Sequence, residues 1–187
     1  AFTGGTDAET DDSLRERLIQ SYNNISNGTN CAFYIEEALK YDKVYSATAI
    51  AKKRGNGTVN VYVAGKGALL SDDDIETIQS GMSSLKEINV DVLVCSPTFT
   101  SVSLGVYITV EDGYKFESVK QSCISELNNY FNSLKIGESF LLSNVGEVLY
   151  HIEGVKSYTF MNSISNNKIA SADQLFKSGG ITIEEGS

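Results

Sequence analysis

Thr98-Phe99-Thr100-Ser101-Val102-Ser103-Leu104-Gly105-Val106-Tyr107-Ile108-Thr109-Val110 is the longest clean alternation in the chain. Val102, Leu104, Val106, Ile108 and Val110 fall on one side, and Ser101, Ser103, Tyr107 and Thr109 on the other. Successive side chains of a strand point to opposite faces, so the pattern predicts a half-buried β-strand. Glu111-Asp112-Gly113 ends it, and the period then changes. Phe116, Val119, Cys123, Ile124, Leu127, Tyr130, Phe131 and Leu134 trace one stripe of a long helix. At about 1.5–3 kcal/mol per fully buried large apolar side chain, that stripe supplies much of a core. A two-faced strand feeding a two-faced helix predicts helices packed on a sheet.

Downstream, Ile136-Gly137-Glu138-Ser139 reads as a turn into Phe140-Leu141-Leu142. Ser143 or Asn144 is predicted to cap a short helix bearing Val145, Val148, Leu149 and Ile152, closed by Gly154 at the C′ position. Residues 155–161 read as a strand. Residues 162–178 are rich in Asn and Ser and read as a long loop. Ile181-Thr182-Ile183 is left as a short last strand before the acidic tail.

Upstream, Ser96-Pro97 interrupts the pattern. Pro97, the chain's only proline, cannot donate to a strand ladder, so it marks a strand end. The predicted division places one domain at 1–97 and a second at 98–187. Before Pro97, Val90, Val92 and Val94 alternate in a largely apolar strand, predicted to be central in its sheet. Ser71 is a natural N-cap with Asp74 three residues on, and Ile75, Ile78, Met82 and Leu85 mark the helix that follows. Gly81 inside that helix costs roughly 1 kcal/mol against Ala, or permits close packing. Residues 44–50 and 58–64 form a predicted β-hairpin around Lys52-Lys53-Arg54-Gly55-Asn56-Gly57. A short helix is predicted at 31–39, and another at 13–25, where Leu14, Leu18, Tyr22 and Ile25 recur at helical spacing. The fold class is therefore α+β: two small α/β-sandwich-like domains, each a short, mostly antiparallel or mixed sheet with helices on it.

The 187 residues carry 15 basic and 24 acidic side chains, for a net charge of −9. Both halves are acidic, which disfavours binding to nucleic acid or to anionic membranes. No apolar run approaches the roughly 18 residues of a membrane helix. The chain opens on Ala1-Phe2-Thr3 without Met, the start expected of a piece of a longer protein. Cys31, Cys95 and Cys123 are odd in number and widely spaced, so they read as small buried hydrophobes in a reducing compartment, not as disulfides or zinc ligands. The Asn-x-Thr/Ser matches at Asn24, Asn27 and Asn56 read as turn residues. Ser71-Asp72-Asp73-Asp74 lacks the spacing of a calcium loop. The single histidine, His151, reads as structural. No nucleophile elbow, P-loop or dinucleotide fingerprint occurs. No catalytic residue, cofactor or metal is predicted.

One stretch remains: Gly4-Gly5-Thr6-Asp7-Ala8-Glu9-Thr10-Asp11-Asp12-Ser13-Leu14-Arg15-Glu16-Arg17. Its glycines permit a sharp turn, and Asp11, Asp12 and Ser13 are competent helix caps. Arg15 and Arg17 stand where a helix dipole disfavours cations, so they call for partners elsewhere, in this chain or another. The pattern resembles the signature of the baseplate J-like family, the wedge proteins of contractile phage tails, tailocins and related injection particles. The matching positions are Gly4, Gly5, Thr6, Asp7, Glu9, Thr10, Asp11, Leu14, Arg15 and Arg17. Weaker likenesses follow in order: Val59 to Val63, Ser96-Pro97-Thr98, Val102 to Val110, Ile136-Gly137-Glu138 and Gly154-Val155. Ser96 stands where Ala is commoner, and residues beyond about 161 match nothing in the family pattern.

The resemblance implies a structural role and no enzyme. Such proteins join into wedges, and wedges form a six-fold ring around the tail hub that opens to trigger sheath contraction. The implied partners are other wedge proteins and further copies of the chain in that ring, with the tail hub and sheath-proximal proteins as further candidates. The implied locations are the host bacterial cytoplasm during assembly and the baseplate thereafter. Candidate structural or interface residues are Gly4, Gly5, Asp7, Glu9, Asp11, Arg15 and Arg17. To these the basic hairpin tip adds Lys52, Lys53 and Arg54, either a solvated loop or a contact with an acidic neighbour. The alternatives are a receptor- or glycan-binding tail module, and a hydrolase using Asp7, Glu9, Asp11 and Asp12.

Overall fold

The computed structural model describes residues 31–162 and 165–186, together with Arg15. The elements run α1 (Cys31–Leu39), β1 (Ser46–Ala51), β2 (Thr58–Ala64), α2 (Asp72–Leu85), β3 (Asp91–Cys95), β4 (Thr98–Val110), α3 (Phe116–Ser133), α4 (Leu142–Tyr150), β5 (Val155–Phe160) and β6 (Gln174–Glu185). They build two mixed three-stranded sheets with helices packed on them, an α+β fold. The helix predicted at 13–25 lies outside the described residues.

The first sheet has the order β1-β2-β3. β1 pairs antiparallel with β2 through the hairpin, and β3 returns parallel to β2 after the α2 crossover. β2 is the central strand and is buried on both faces. Val59, Val61 and Val63 pack with Tyr34, Ala38, Ile78 and Met82 of the two helices. Asn60, Tyr62 and Ala64 face the other way and are also buried. β3, expected to be central, is an edge strand: Val92 and Val94 are buried, while Asp91 and Leu93 are exposed. Its apolar run reflects one buried face rather than two.

Two side chains order α2 and its contact with that edge. Ser71 is the N-cap, and its hydroxyl both accepts from the Asp74 amide at 3.3 Å and donates to the Asp74 carboxylate at 2.7 Å. Further along, the Gln79 side chain lies against β3. Its carbonyl accepts from the Val94 amide at 2.7 Å, and its amide donates to the Val92 carbonyl at 3.1 Å. A helix side chain thus occupies backbone groups that a further strand would otherwise take.

The second sheet has the order β5-β4-β6. The alternation of β4 is realised as predicted, with Val102, Leu104, Val106 and Ile108 buried beneath α3 and α4. The helical stripe meets them: Val119, Cys123, Leu127 and Phe131 are buried, and the Phe131 and Phe140 rings stack with centroids 5.2 Å apart. Two expectations fail here. The α4 cap is Leu141, which makes no side-chain cap bond; the Leu142 amide instead donates to Asn167 Oδ1 at 2.8 Å, so a loop residue supplies the acceptor expected of Ser143 or Asn144.

The second failure is larger. The stretch predicted as loop and short strand contains β6, which pairs parallel with β4 from Thr98↔Gln174 to Ile108↔Glu185. Leu175 and Phe176 are buried at its start. The register shifts between Val102 and Ser103, where Gly179 is the extra residue. A Cβ on Gly179 would lie 3.1–3.2 Å from Ser101 and the Val102 backbone, and Gly180 has φ +131°. The Gly179-Gly180 pair forms a bulge within the strand.

Candidate functional site

The hairpin tip is built by the turn between β1 and β2. Lys52 sits at φ +64°, and Gly55 and Gly57 also have positive φ. The Lys52 amide donates to the Thr58 carbonyl at 2.7 Å, and the Thr58 hydroxyl donates to the Gly55 carbonyl at 2.7 Å. This tight closure turns Lys53 and Arg54 back toward their own sheet rather than outward.

Arg54 lies along β2 and β3. Its Nε donates to Asn60 Oδ1 at 2.8 Å, Nη2 donates to the Asp91 carbonyl at 3.1 Å, and Nη1 pairs with the Asp91 carboxylate. Asn60 is thereby satisfied in a central strand, where an unpaired amide would be costly. Lys53 reaches further. Its ammonium pairs with the Asp173 carboxylate, which immediately precedes β6, and stands 5.0 Å from the centroid of the Tyr62 ring. The pair raises the Lys53 pKa, chiefly through Asp173 and next through Tyr62. Lys53 in turn holds the Asp173 carboxyl below the usual range, with Ser171 assisting. Arg54 does the same for Asp91.

Beneath these charges the two sheets meet. Tyr62, Ala64, Ile136 and Leu175 are buried together, with Ile50, Cys95 and Phe99 around them. The Ile136 amide donates to Ser46 Oγ at 3.0 Å in a buried bond across this seam. The Tyr45 hydroxyl donates to the Ser133 carbonyl at 3.2 Å. Gly67, at φ +66°, abuts Asn132; a Cβ there would fall 2.2 Å from Asn132 Oδ1. Burial raises the Cys95 thiol.

Lys53 and Arg54 of the basic triplet therefore find acidic groups, and these belong to the same chain. Lys52 is exposed and forms no ion pair among the described residues. Of the other candidates, Arg15 is helical and exposed. Gly4, Gly5, Asp7, Glu9, Asp11 and Arg17 lie outside the described residues, as does Asp12. Sequence reasoning missed Asp173, which fell in a predicted loop, and Asp91. Asn60 among valines was the available signal, since a central strand keeps a polar side chain only with a partner.

Several other titratable groups lie at the surface. Lys43 pairs with Asp74 at 2.7 Å and, with Ser71, lowers its pKa. His151 is exposed at the end of α4, its Nδ1 2.8 Å from the Glu147 carbonyl. It borders an open concavity of about 710 Å³ shared with Glu111, Glu153 and Tyr158. Glu153 accepts there from the Tyr114 hydroxyl at 2.6 Å. Among the described residues no cluster of three or more His, Cys, Asp or Glu could hold a metal ion, and no helix is long and apolar enough to cross a membrane.

Comparison with known proteins gives three findings. The family model for the baseplate J-like protein C-terminal domain matches residues 102–184, from within β4 to within β6, and so continues past residue 161, where the likeness read from the sequence stops. The phage-like element PBSX protein XkdT of Bacillus subtilis (strain 168) is 24% identical over 192 residues, covering 97% of this chain and 55% of its own length. The chain thus spans about half of that curated relative. A chain of the six-fold symmetrised anti-feeding prophage baseplate has the same fold, with a TM-score of 0.59 and 10% identity over 94% of this chain and 43% of that one.

Proposed function

We propose that this chain, a baseplate J-like protein, is a structural component of the baseplate of a contractile phage-like tail. The observation that carries the reading is the family match over residues 102–184, which spans most of the second sheet and both of its helices. The fold likeness extends the support across nearly all of the chain, to a protein of a six-fold baseplate. The finer reading is that the chain joins other baseplate proteins in wedges, that the wedges close a six-fold ring around the hub, and that the ring takes part in triggering sheath contraction. Assembly takes place in the bacterial cytoplasm. The acidic surface favours partners with complementary basic patches, since opposed charge sets register and rejects wrong neighbours. Lys52, exposed at the hairpin tip, is the candidate contact of the basic triplet, and Arg15 a second. A scaffold that presents folded surfaces needs no catalytic constellation, which fits the role of His151 as a helix-end residue.

The test is compositional. Contractile particles are purified from the source organism, and this protein is quantified against the sheath subunit by mass spectrometry. A fixed content at a small multiple of six per particle is expected. Complete, contraction-competent particles that lack the protein would overturn the assignment.

A further inference from the structure

We infer that the seam between the two sheets is an openable joint, latched by Lys53 and Asp173, about which the two halves of the chain swing as bodies. The seam differs in kind from the two cores. The first core has ten buried apolar members and the second has fourteen, whereas four residues are buried at the seam. Interfaces of this modest size between folded units commonly permit relative motion. Among the described residues the chain crosses from one half to the other once, at Ser96-Pro97, between β3 and β4. A single covalent crossing leaves the rotation to be set by non-covalent contacts, and hinges of this kind are a few residues at the ends of elements.

Among the described residues the polar contacts across the seam are few and specific. Ile136 bonds to Ser46, Tyr45 to Ser133, and Lys53 to Asp173. The Lys53 pair is placed to act as a latch. It joins the tip of the β1–β2 hairpin, far from the crossing in sequence, to the residue before β6. It also pins the cation over Tyr62, the largest buried side chain of the seam. Asp173 is fixed in turn, because its carbonyl accepts from the Thr98 amide at 2.8 Å and its carboxylate accepts from the Ser171 hydroxyl at 2.9 Å. Both latch groups are reachable by solvent, with side chains 40% and 21% exposed, so a competing charge on a neighbouring protein has access to them. The inference is independent of the proposed function, since it concerns the isolated chain.

Hydrogen exchange tests it residue by residue. The Ile136 amide is bonded across the seam to Ser46, whereas the Gly137 amide, one residue on, is bonded to the Gln174 carbonyl within the second half. Lys53→Met and Asp173→Asn nearly keep the side-chain length and remove the ion pair. Each is expected to speed exchange at Ile136 by about two- to fivefold, the range of a partly exposed ion pair, with Gly137, Val61 and Leu127 unchanged, and the double variant is expected to match the single ones. Ile136 exchange that stays at the parental rate would overturn the latch. So would an acceleration shared by Gly137 and the core amides, which reports general loosening, or a double variant whose effect is the product of two independent ones.

Discussion

At the scale of single residues, Gly81 shows how position outweighs intrinsic preference. A helix-interior glycine costs roughly 1 kcal/mol relative to alanine, so alanine at this position is naively stabilising. A Cβ at Gly81 would lie 2.0 Å from the Tyr41 hydroxyl oxygen and 3.3 Å from its Cζ. Tyr41 is packed against the first core and would have to move. Gly81→Ala is therefore expected to lower stability by about 1 kcal/mol in urea denaturation, the displaced ring outweighing the helix gain. Tyr41→Phe removes the nearest atom. Gly81→Ala made on that background is expected to be close to neutral, a coupling that a double-mutant cycle measures. The sequence offered both readings of Gly81 but held no means of choosing between them, because Tyr41 lies 40 residues away in the chain.

At the scale of elements, the local signals were legible and the remote ones were not. The Ser71 cap, the turn at 52–57, the bounds of β2 and β4, and the stripe of α3 all follow from residues adjacent to the feature itself. The α4 cap depends on Asn167, twenty-five positions from the amide it serves, and β6 is held by β4 across more than seventy positions. No window of sequence contains either relation. Position in a sheet was misjudged for β3 because apolar content reports burial summed over two faces. Gln79 explains how that strand survives as an edge: its amide side chain answers two backbone groups of β3. Gln79→Ala leaves the part-buried Val94 amide and Val92 carbonyl without those partners. A loss of roughly 1–3 kcal/mol is expected in chemical denaturation, the usual cost of stranded backbone groups. The uncovered edge is also expected to raise light scattering at high protein concentration relative to the parent.

At the scale of the whole molecule, charge sets the response to acid. Asp74, Asp91 and Asp173 are held below the usual carboxylate range by Lys43, Arg54 and Lys53 respectively. A carboxylate whose pKa is depressed by folding stabilises the fold above its unfolded value of 3.8 and loses that contribution as pH falls through the folded value. The net charge of −9 acts in the opposite sense near neutrality, because partial protonation relieves self-repulsion. Tm is thus expected to hold or rise slightly on going from pH 7 to pH 5, and to fall steeply below about pH 3.8, in a calorimetric pH series. A monotonic fall from neutrality would show that these pairs do not govern acid stability. The arrangement of the second sheet also bears on how the protein is made. β4 is its central strand, yet its parallel neighbour β6 is synthesised last of the sheet's three strands. While the ribosome works through α3, α4 and β5, the β6-facing edge of β4, from Thr98 to Ile108 with Val102, Leu104, Val106 and Ile108 on its apolar face, has nothing to pair with. The first sheet is complete by then and can fold as it emerges. The nascent second half instead carries an open, sticky edge until Glu185 has cleared the exit tunnel, which makes that interval the one in which a chaperone or a neighbouring nascent chain meets the protein.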